Sequence, residues 1–348
     1  MAHFDPDAAA KPGSGVFGLP HSRAEARVVL IPVPFDATTS YSGGAAAGPE
    51  AILKASSQVD LLDHQFGAVH EAGIFMEEPD QQIAALSARA RDLAKPIIEK
   101  GGAEARDKQA VSEVDTACEW VSRIVCDATT AVLDDKKIPG IVGGDHSTPL
   151  GAIRACAAAA GPDGLGILQV DAHMDLREAF EGFRYSHASI MWNVMQALPR
   201  VTRLVQVGIR DYGAGERRVA EESKGRIVAH HDLDWYRAMA RSERLEDLCK
   251  RAIEPLPRDV YISFDIDGLD PSLCPRTGTP VPGGLSFNAA CVLLETLARS
   301  GRRVIGFDLN EVCPGPDGDE WDAAVGARVL YKLCGVALTC SDRSVGAS

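Results

Sequence analysis

The chain has 348 residues, of which 45% are hydrophobic and 24% are charged, and its formal net charge is -13 at pH 7. This balance is typical of a globular protein, and the length permits one or two domains. The negative charge argues against a nucleic-acid partner, whose phosphates require a basic surface, and it is compatible with a small cationic substrate. We see no apolar run approaching the ~20 residues of a membrane span, so we expect no membrane partner.

The N-terminal segment differs from a signal peptide, because it carries acidic residues and lacks an apolar centre. We therefore expect residues 1–25 to form a solvated leader and the protein to be cytoplasmic. The nine cysteines include no Cys-x-x-Cys pair. In a cytoplasmic protein we expect them to be reduced and mostly buried in apolar stretches.

Short β-branched runs alternate with longer helical patterns from about Ala26 onward. Most of the short runs are continuously apolar, which is typical of parallel strands covered on both faces. The predicted strands, in chain order, are Arg27–Pro32, Ile138–Val142, Leu165–Val170, Leu204–Gly208, Ile227–Ala229, Val260–Phe264 and Val304–Leu309.

The clearest helix has apolar residues three or four apart between Val111 and Val132, which makes one apolar face. Further helices are predicted over about Pro149–Ala159, Ser242–Ile253, Phe287–Ala298 and Asp322–Leu333. Lys95–Asp107 is the most loop-like interior stretch, and a surface insertion explains it as well as a domain boundary does. Without an internal repeat or a linker, residues 26–340 are predicted to form one α/β domain with helices on both faces of the sheet.

Histidine and acidic residues follow four of the predicted strands. Since open parallel sheets place their active sites at the carboxyl ends of strands, these residues are expected on one rim. They are Asp145 and His146 after the second strand, Asp171, His173 and Asp175 after the third, Asp265 and Asp267 after the sixth, and Glu311 after the last.

The spacing of these residues indicates a metal site. In extended backbone, side chains two residues apart point the same way, so Asp171 and His173 face one point, as do Asp265 and Asp267. Asp175 joins them if the chain turns after His173. So many carboxylates in a confined site require neutralisation, and two divalent cations would provide it. Oxygen and imidazole ligands without cysteine favour Mn²⁺, Fe²⁺ or Ni²⁺ over structural zinc. Such a pair can generate hydroxide from water at neutral pH.

The segments GGDHS, DAHMD and SFDIDGLDP resemble the three signatures of the ureohydrolase family, which includes arginase and agmatinase. The resemblance covers nearly the whole chain and implies that residues 26–340 are a single catalytic domain. It further implies the arginase-type fold, a three-layer αβα sandwich around a parallel sheet of about eight strands. Assembly into trimers or hexamers is also implied.

By this resemblance, the protein binds two divalent metal ions, Mn²⁺ or Ni²⁺. The more exposed ion would be held by His146, Asp171, Asp175 and Asp265. The second ion would be held by Asp171, His173, Asp265 and Asp267.

The same resemblance implies three catalytic residues. His187 occupies the position of a proton-shuttling histidine, and Glu311 that of a glutamate that binds the guanidinium group by a bidentate, charge-assisted hydrogen bond. Asp267 would also stabilise the tetrahedral intermediate. A solvated loop histidine remains the alternative for His187, and a helix cap or surface charge the alternative for Glu311. The expected reaction hydrolyses a small guanidino compound to urea and ammonia or an amine.

Free guanidine is the substrate we expect, because DLREAFEGFRYSHASIM, DPSLCPRTGTPVPGG and EWDAAVGARVLYKL resemble an agmatinase-like group that includes guanidine hydrolases. Trp321 and Trp192 are bulky enough to shorten the pocket, although either suits a core position. Arg177 could receive a substrate carboxylate, but an ion pair with Glu178 or Glu181 is the simpler interpretation. Agmatine and guanidino acids stay as alternatives. A non-catalytic metal-binding member of the family is the alternative of another class.

Overall fold

Eight parallel strands form a single sheet in the computed structural model, which describes residues 4–11, 13–41 and 43–345. Their order in the sheet is β2-β1-β3-β8-β7-β4-β5-β6. The strands are β1 (Val28–Val33), β2 (Ile74–Met76), β3 (Ile138–Gly143), β4 (Leu165–Val170), β5 (Val201–Ile209), β6 (Ile227–His231), β7 (Asp259–Asp265) and β8 (Arg303–Asn310).

Each face of the sheet has its own apolar core, because side chains alternate along a strand. In β1, Val28 and Leu30 point into one core, and Val29 and Ile31 point into the other. Both sets are buried, which explains why the strands are continuously apolar in the sequence.

Ten helices lie within the described residues. Helices α2 to α5 supply one core, and α1 and α8 to α10 supply the other. The predicted αβα sandwich is therefore confirmed. The helices are α1 (Gly48–Ser56), α2 (Gln81–Glu99), α3 (Lys108–Asp134), α4 (Leu150–Ala159), α5 (Ile190–Ala197), α6 (Ala214–Glu222), α7 (Asp232–Ala240), α8 (Leu245–Ile253), α9 (Phe287–Arg299) and α10 (Trp321–Val345).

All seven predicted strands are present, with ends displaced by a few residues. The eighth, β2, was missed because it is three residues long and lies at the sheet edge. The prediction that Lys95–Asp107 is loop-like was partly wrong, since α2 continues to Glu99. Helix α8 begins at Leu245 and not at Ser242, because Ser242 has a φ of 69°, outside the helical region.

The N-terminal segment was expected to be a solvated leader, but part of it packs into the core. Val16, Phe17 and Leu19 are buried. The ring centroid of Phe17 lies 4.8 Å from that of Tyr331, and its backbone N–H donates to Ser56 Oγ at 2.8 Å. Three apolar side chains in a short segment thus attach it to helices α1 and α10.

Helix α10 contains a stretch, Trp321–Ser341, that has the length and apolar composition of a membrane span. The expectation that the chain has no such apolar run was therefore wrong for this helix. In the most apolar part of this stretch, 78% of the residues are buried in the fold, as expected for a core helix. Its hydrophobicity is therefore explained by packing against β8, α1 and α9.

The sheet order brings together the four strands whose ends carry the candidate site residues. β3, β8, β7 and β4 are consecutive neighbours, although they are far apart in the sequence. All strands run parallel, so their carboxyl ends meet at one edge. The fold therefore delivers the loops after these strands to one place.

Gly140 in β3 offers a test of how tightly the centre of the sheet is packed. A Cβ at this position would lie 2.5 Å from the Phe307 ring and 2.7 Å from Leu30 Cδ2. We expect Gly140→Ala to lower the free energy of unfolding by about 1–3 kcal/mol through overpacking. A lower midpoint of thermal unfolding would show this.

The matched control is Gly215→Ala in α6, where a Cβ would meet no atom within 4 Å. Removing a glycine from a helix should leave stability unchanged or raise it by up to about 1 kcal/mol. Equal midpoints for the two variants would contradict the packing argument.

Candidate active site

His146, which follows β3, lies among three carboxylates from two other strand ends. Its Nδ1 is 3.0 Å from Asp171 Oδ2, 2.9 Å from Asp175 Oδ2 and 3.3 Å from Asp265 Oδ2. All four side chains are at most 7% exposed, so solvent does little to screen their charges. The structure thus gathers the ligands expected for the first metal ion.

A second group is built around His173. Its Nδ1 lies 3.1 Å from Asp267 Oδ2 and 3.5 Å from Asp171 Oδ1. The His173 side chain is 24% exposed, whereas both carboxylates are buried. Asp171 belongs to both groups and directs one oxygen to each.

The ligand atoms of each group converge on one region. His146 Nδ1 is buried and makes no hydrogen bond within the described structure, even though three carboxylate oxygens lie within 3.3 Å. In each group, the ligand atoms of three residues lie within 4.8 Å of one another. Imidazole nitrogens and carboxylate oxygens without a thiolate are suitable ligands for divalent manganese or nickel. The residues therefore fit a pair of divalent cations.

The electrostatics of the cluster agree with this fit. Burial and the charges of Asp267 and Asp171 raise the pKa of Asp265 well above its usual value. Burial and Asp171 raise the pKa of Asp175 to about 7. The carboxylates therefore repel one another strongly in the protein alone, and bound cations would relieve this repulsion.

Two glutamines that the sequence analysis missed support Asp171 from behind. Gln169 Nε2 donates to Asp171 Oδ2 at 2.7 Å, and Gln206 Nε2 donates to Gln169 Oε1 at 2.7 Å. Gln206 Nε2 also donates to the backbone carbonyl of Met174, in the turn that leads to Asp175. Both glutamines are fully buried within apolar strands, and a polar residue in such a strand is the signal that could have found them.

The backbone is strained at two positions of the site. Asp175 has a φ of 54° and Glu311 a φ of 62°, in the left-handed region that non-glycine residues seldom adopt. Such conformations cost about 1–3 kcal/mol and persist where the surrounding structure holds them.

Glu311 has one oxygen held and the other free of protein partners. Oε1 accepts the backbone N–H of His146 at 2.9 Å. Oε2 is buried without a hydrogen bond in the described structure. Burial and the charges of Asp265 and Asp145 raise the pKa of Glu311 well above its usual value. A cation bound against Oε2 would stabilise the charged form of this carboxylate.

His187 is also brought to the site, in the loop between β4 and α5. Its backbone N–H donates to Thr38 Oγ1 at 3.1 Å, and its ring packs edge-on against Phe180 at 6.0 Å between centroids. Burial and the positive charges of His173 and His146 lower the pKa of His187 to about 3. The imidazole is therefore neutral at physiological pH in the protein alone.

These side chains face a cavity of about 500 Å³. Trp321 and Trp192 do not line it, so the structure does not support the expectation that either shortens the pocket. Trp321 is half-exposed, and its indole N–H donates to the carbonyl of Ser272 at 3.0 Å. The lining consists of Ser40, Tyr41, His146, His173, Asp175, Arg177, Phe180, His187, Ala188, Asp211, Glu216, Asp265, Thr279, Pro280, Val281 and Glu311.

The expected ion-pair partners of Arg177 were wrong. Its Nε lies 3.3 Å from Glu216 Oε2, and neither Glu178 nor Glu181 pairs with it in the described structure. Glu216 is distant in sequence, at the start of α6, and only the tertiary structure brings it to the loop after β4.

The Arginase family model matches residues 26–335. The chain belongs to the arginase family. Among curated relatives, N(1)-aminopropylagmatine ureohydrolase of Thermus thermophilus is 33% identical over 314 residues, 90% of each chain. Proclavaminate amidinohydrolase of Streptomyces clavuligerus is 31% identical over 321 residues, 88% of this chain and 87% of the relative. The agmatine ureohydrolase structure of Thermoplasma volcanium matches with a TM-score of 0.68 and 25% identity, covering 92% of this chain and 93% of the other.

As an arginase-family member, the protein is a ureohydrolase, an enzyme that hydrolyses a carbon–nitrogen bond of an amidino or guanidino group. The predicted family, fold and enzyme class are confirmed. The family relationship and the His/Asp clusters also support a requirement for divalent metal.

Asp171 is the residue whose replacement should affect both metal positions, since it belongs to both ligand groups. We expect Asp171→Asn to lose most of its bound metal, because a neutral amide replaces the shared charged ligand. Elemental analysis of dialysed protein measures the metal per chain. The matched control, Asp163→Asn, changes an exposed carboxylate and should retain wild-type metal content. Wild-type metal content in Asp171→Asn would contradict the shared role.

Proposed function

We propose that this enzyme hydrolyses a small guanidino compound at a two-metal centre and releases urea, with free guanidine as its best substrate. The observation that carries the proposal is Glu311 Oε2, a buried acceptor without a protein partner, in a cavity shared with both ligand groups. A guanidinium ion offers planar N–H donors and a positive charge to such an oxygen.

The first metal would be held by His146, Asp171, Asp175 and Asp265, and the second by Asp171, His173, Asp265 and Asp267. When bound, the two cations would supply the Lewis acidity that makes water nucleophilic at neutral pH. Manganese and nickel both suit these ligands.

The protein's own groups then have distinct roles. Glu311 holds the guanidinium through Oε2 and orients its central carbon towards the ligand groups. Asp267, in the second ligand group, would contribute negative charge that helps to stabilise the tetrahedral arrangement. His187 lies in the same cavity, and we assign to it the transfer of a proton to the departing nitrogen. Urea and ammonia, or an amine, are the products.

Free guanidine is favoured by the charges on the cavity wall. Besides the candidate metal ligands, the wall includes the cation Arg177, which forms an ion pair with Glu216. A substrate that consists of the guanidinium group alone needs no contact with the part of the wall formed by Arg177 and Glu216. The similarity of the loop over residues 175–191 to guanidine hydrolases supports the same substrate.

Agmatine and related amines are the second candidate. The cavity volume of about 500 Å³ exceeds what guanidine needs, and this observation favours a longer substrate. One relative at 33% identity is named for N(1)-aminopropylagmatine. These compounds share the guanidinium group, so the inner site would serve them equally.

Urea release decides between the candidates. Metal-loaded enzyme should give a kcat/KM for guanidine at least about tenfold above those for agmatine, arginine, 4-guanidinobutyrate and N(1)-aminopropylagmatine. Glu311→Gln should lose most activity on each compound, because the charged acceptor of the guanidinium is removed. A preference for agmatine by orders of magnitude would refute guanidine as the substrate. Bound metal with no urea from any compound would favour a non-catalytic protein.

His187→Asn tests the proton-transfer role. We expect kcat to fall by about 10²-fold or more while the metal content stays unchanged, because the ring lies outside both ligand groups. The control is His64→Asn, which replaces an exposed histidine remote from the cavity lining. Wild-type kcat in His187→Asn would eliminate the histidine as the shuttle.

A further inference from the structure

Arg177 is a fixed positive charge on the cavity wall, two residues after Asp175. Its guanidinium carbon lies 4.6 Å from the centroid of the Phe180 ring, and its Nε is 3.3 Å from Glu216 Oε2. Its backbone N–H donates to the carbonyl of Ala188 at 3.2 Å. Backbone, aromatic and ionic contacts therefore hold this side chain against the wall.

Glu216 would otherwise be the acidic group available to the far end of a substrate. Its side chain is 5% exposed but lines the cavity. Oε1 accepts the backbone N–H of Leu176 at 3.1 Å, and Oε2 accepts that of Gly213 at 2.7 Å. Arg177 neutralises this well-anchored carboxylate. Among the described lining residues outside the ligand groups, the remaining carboxylates are Glu311, which faces the reacting group, and the exposed Asp211.

We propose that Arg177 is a specificity-determining residue that discriminates against guanidino compounds carrying a second positive charge on their tail. The inference rests on the proposed function, because it concerns the outer part of the same cavity. Arg177 and Glu311 line the same cavity, so the tail of a guanidinium held at Glu311 passes a wall that carries this cation. Arg177 is 42% exposed whereas its partner Glu216 is 5% exposed, so the cation and not the buried carboxylate faces the tail. We expect the repulsion between the two positive charges to reduce binding by about tenfold.

The sharpest pair of probes is n-butylguanidine and agmatine. Both carry a guanidinium and a four-carbon chain, and agmatine adds only the terminal ammonium. For the metal-loaded wild type, we expect kcat/KM for butylguanidine to exceed that for agmatine by about tenfold or more. If butylguanidine or agmatine binds without being hydrolysed, its affinity is measured as the inhibition constant against guanidine hydrolysis. The comparison then uses inhibition constants in place of kcat/KM. The ratio should fall as salt is added, because salt screens the repulsion.

Three variants assign the effect to charge. Arg177→Met keeps an apolar stem against Phe180 but frees Glu216, so the ratio should fall to about one or below, since Glu216 now attracts the ammonium. Arg177→Lys restores the charge and should retain the wild-type preference. Arg184→Met is the matched control, because Arg184 lies on the same loop and packs over an aromatic ring, Tyr185, but does not line this cavity.

A double variant tests the partner. If Glu216 receives the tail in Arg177→Met, then adding Glu216→Gln should reverse most of the gain for agmatine. The midpoint of thermal unfolding identifies variants that have lost the fold. The salt dependence of the wild-type ratio of kcat/KM for butylguanidine to that for agmatine tests the same repulsion without any substitution. The proposal can therefore be refuted even if every variant misfolds.

Several results would overturn the inference while the proposed chemistry stands. These are equal use of agmatine and butylguanidine by the wild type, an Arg177→Met ratio equal to that of the wild type, or failure of both tailed compounds to bind. The last result would mean that shape, not charge, closes the outer cavity. Absence of urea from every guanidino compound, guanidine included, would instead overturn the proposed function, and the inference with it.

Discussion

The concentration of negative charge at one sheet edge is the constraint on which the rest of the site depends. Four aspartates and two histidines lie within a few ångströms of one another and are largely shielded from water. Such a cluster is unfavourable unless cations or protons neutralise it. The raised pKa values of Asp175 and Asp265 are the response of the protein alone.

The fold supplies what this cluster needs to hold its shape. Four adjacent parallel strands end at it, so backbone hydrogen bonds of the sheet fix the starting point of each loop. Buried amides from Gln169 and Gln206 orient Asp171 without adding charge. Strained backbone at Asp175 and Glu311 is tolerated because the neighbouring strands and loops constrain it. Rigid support of this kind keeps the ligand atoms gathered in one region.

Substrate choice depends on a different layer of the molecule. In the function that we propose, the inner wall, with Glu311 and His187, recognises the guanidinium group that all candidate substrates share. The outer wall is formed by the loop after β4 and by Glu216 at the start of α6, and its charge depends on the ion pair with Arg177. Changes in these loops can alter the substrate while the metal ligands stay the same, as expected where function resides in loops on a constant sheet.

The sequence by itself determined the strand–helix alternation, seven of the eight strands and the six candidate metal ligands. These features are local: continuous apolar runs mark buried parallel strands, and spacings of two residues direct His and Asp side chains to one side. The short edge strand β2 and helices with small-residue faces, such as α2, carried too weak a local signal.

Only the tertiary structure decided which distant residues meet. The pairing of Arg177 with Glu216 joins positions 39 residues apart, and the buried Gln169–Gln206 contact joins two strands. Trp321 was expected near the substrate from its size alone, yet its indole bonds to Ser272 outside the cavity lining. Chemical type and spacing identify a metal cluster, because its ligands sit at strand ends. The shape and charge of the surrounding wall depend on how separate loops pack, which local patterns do not encode.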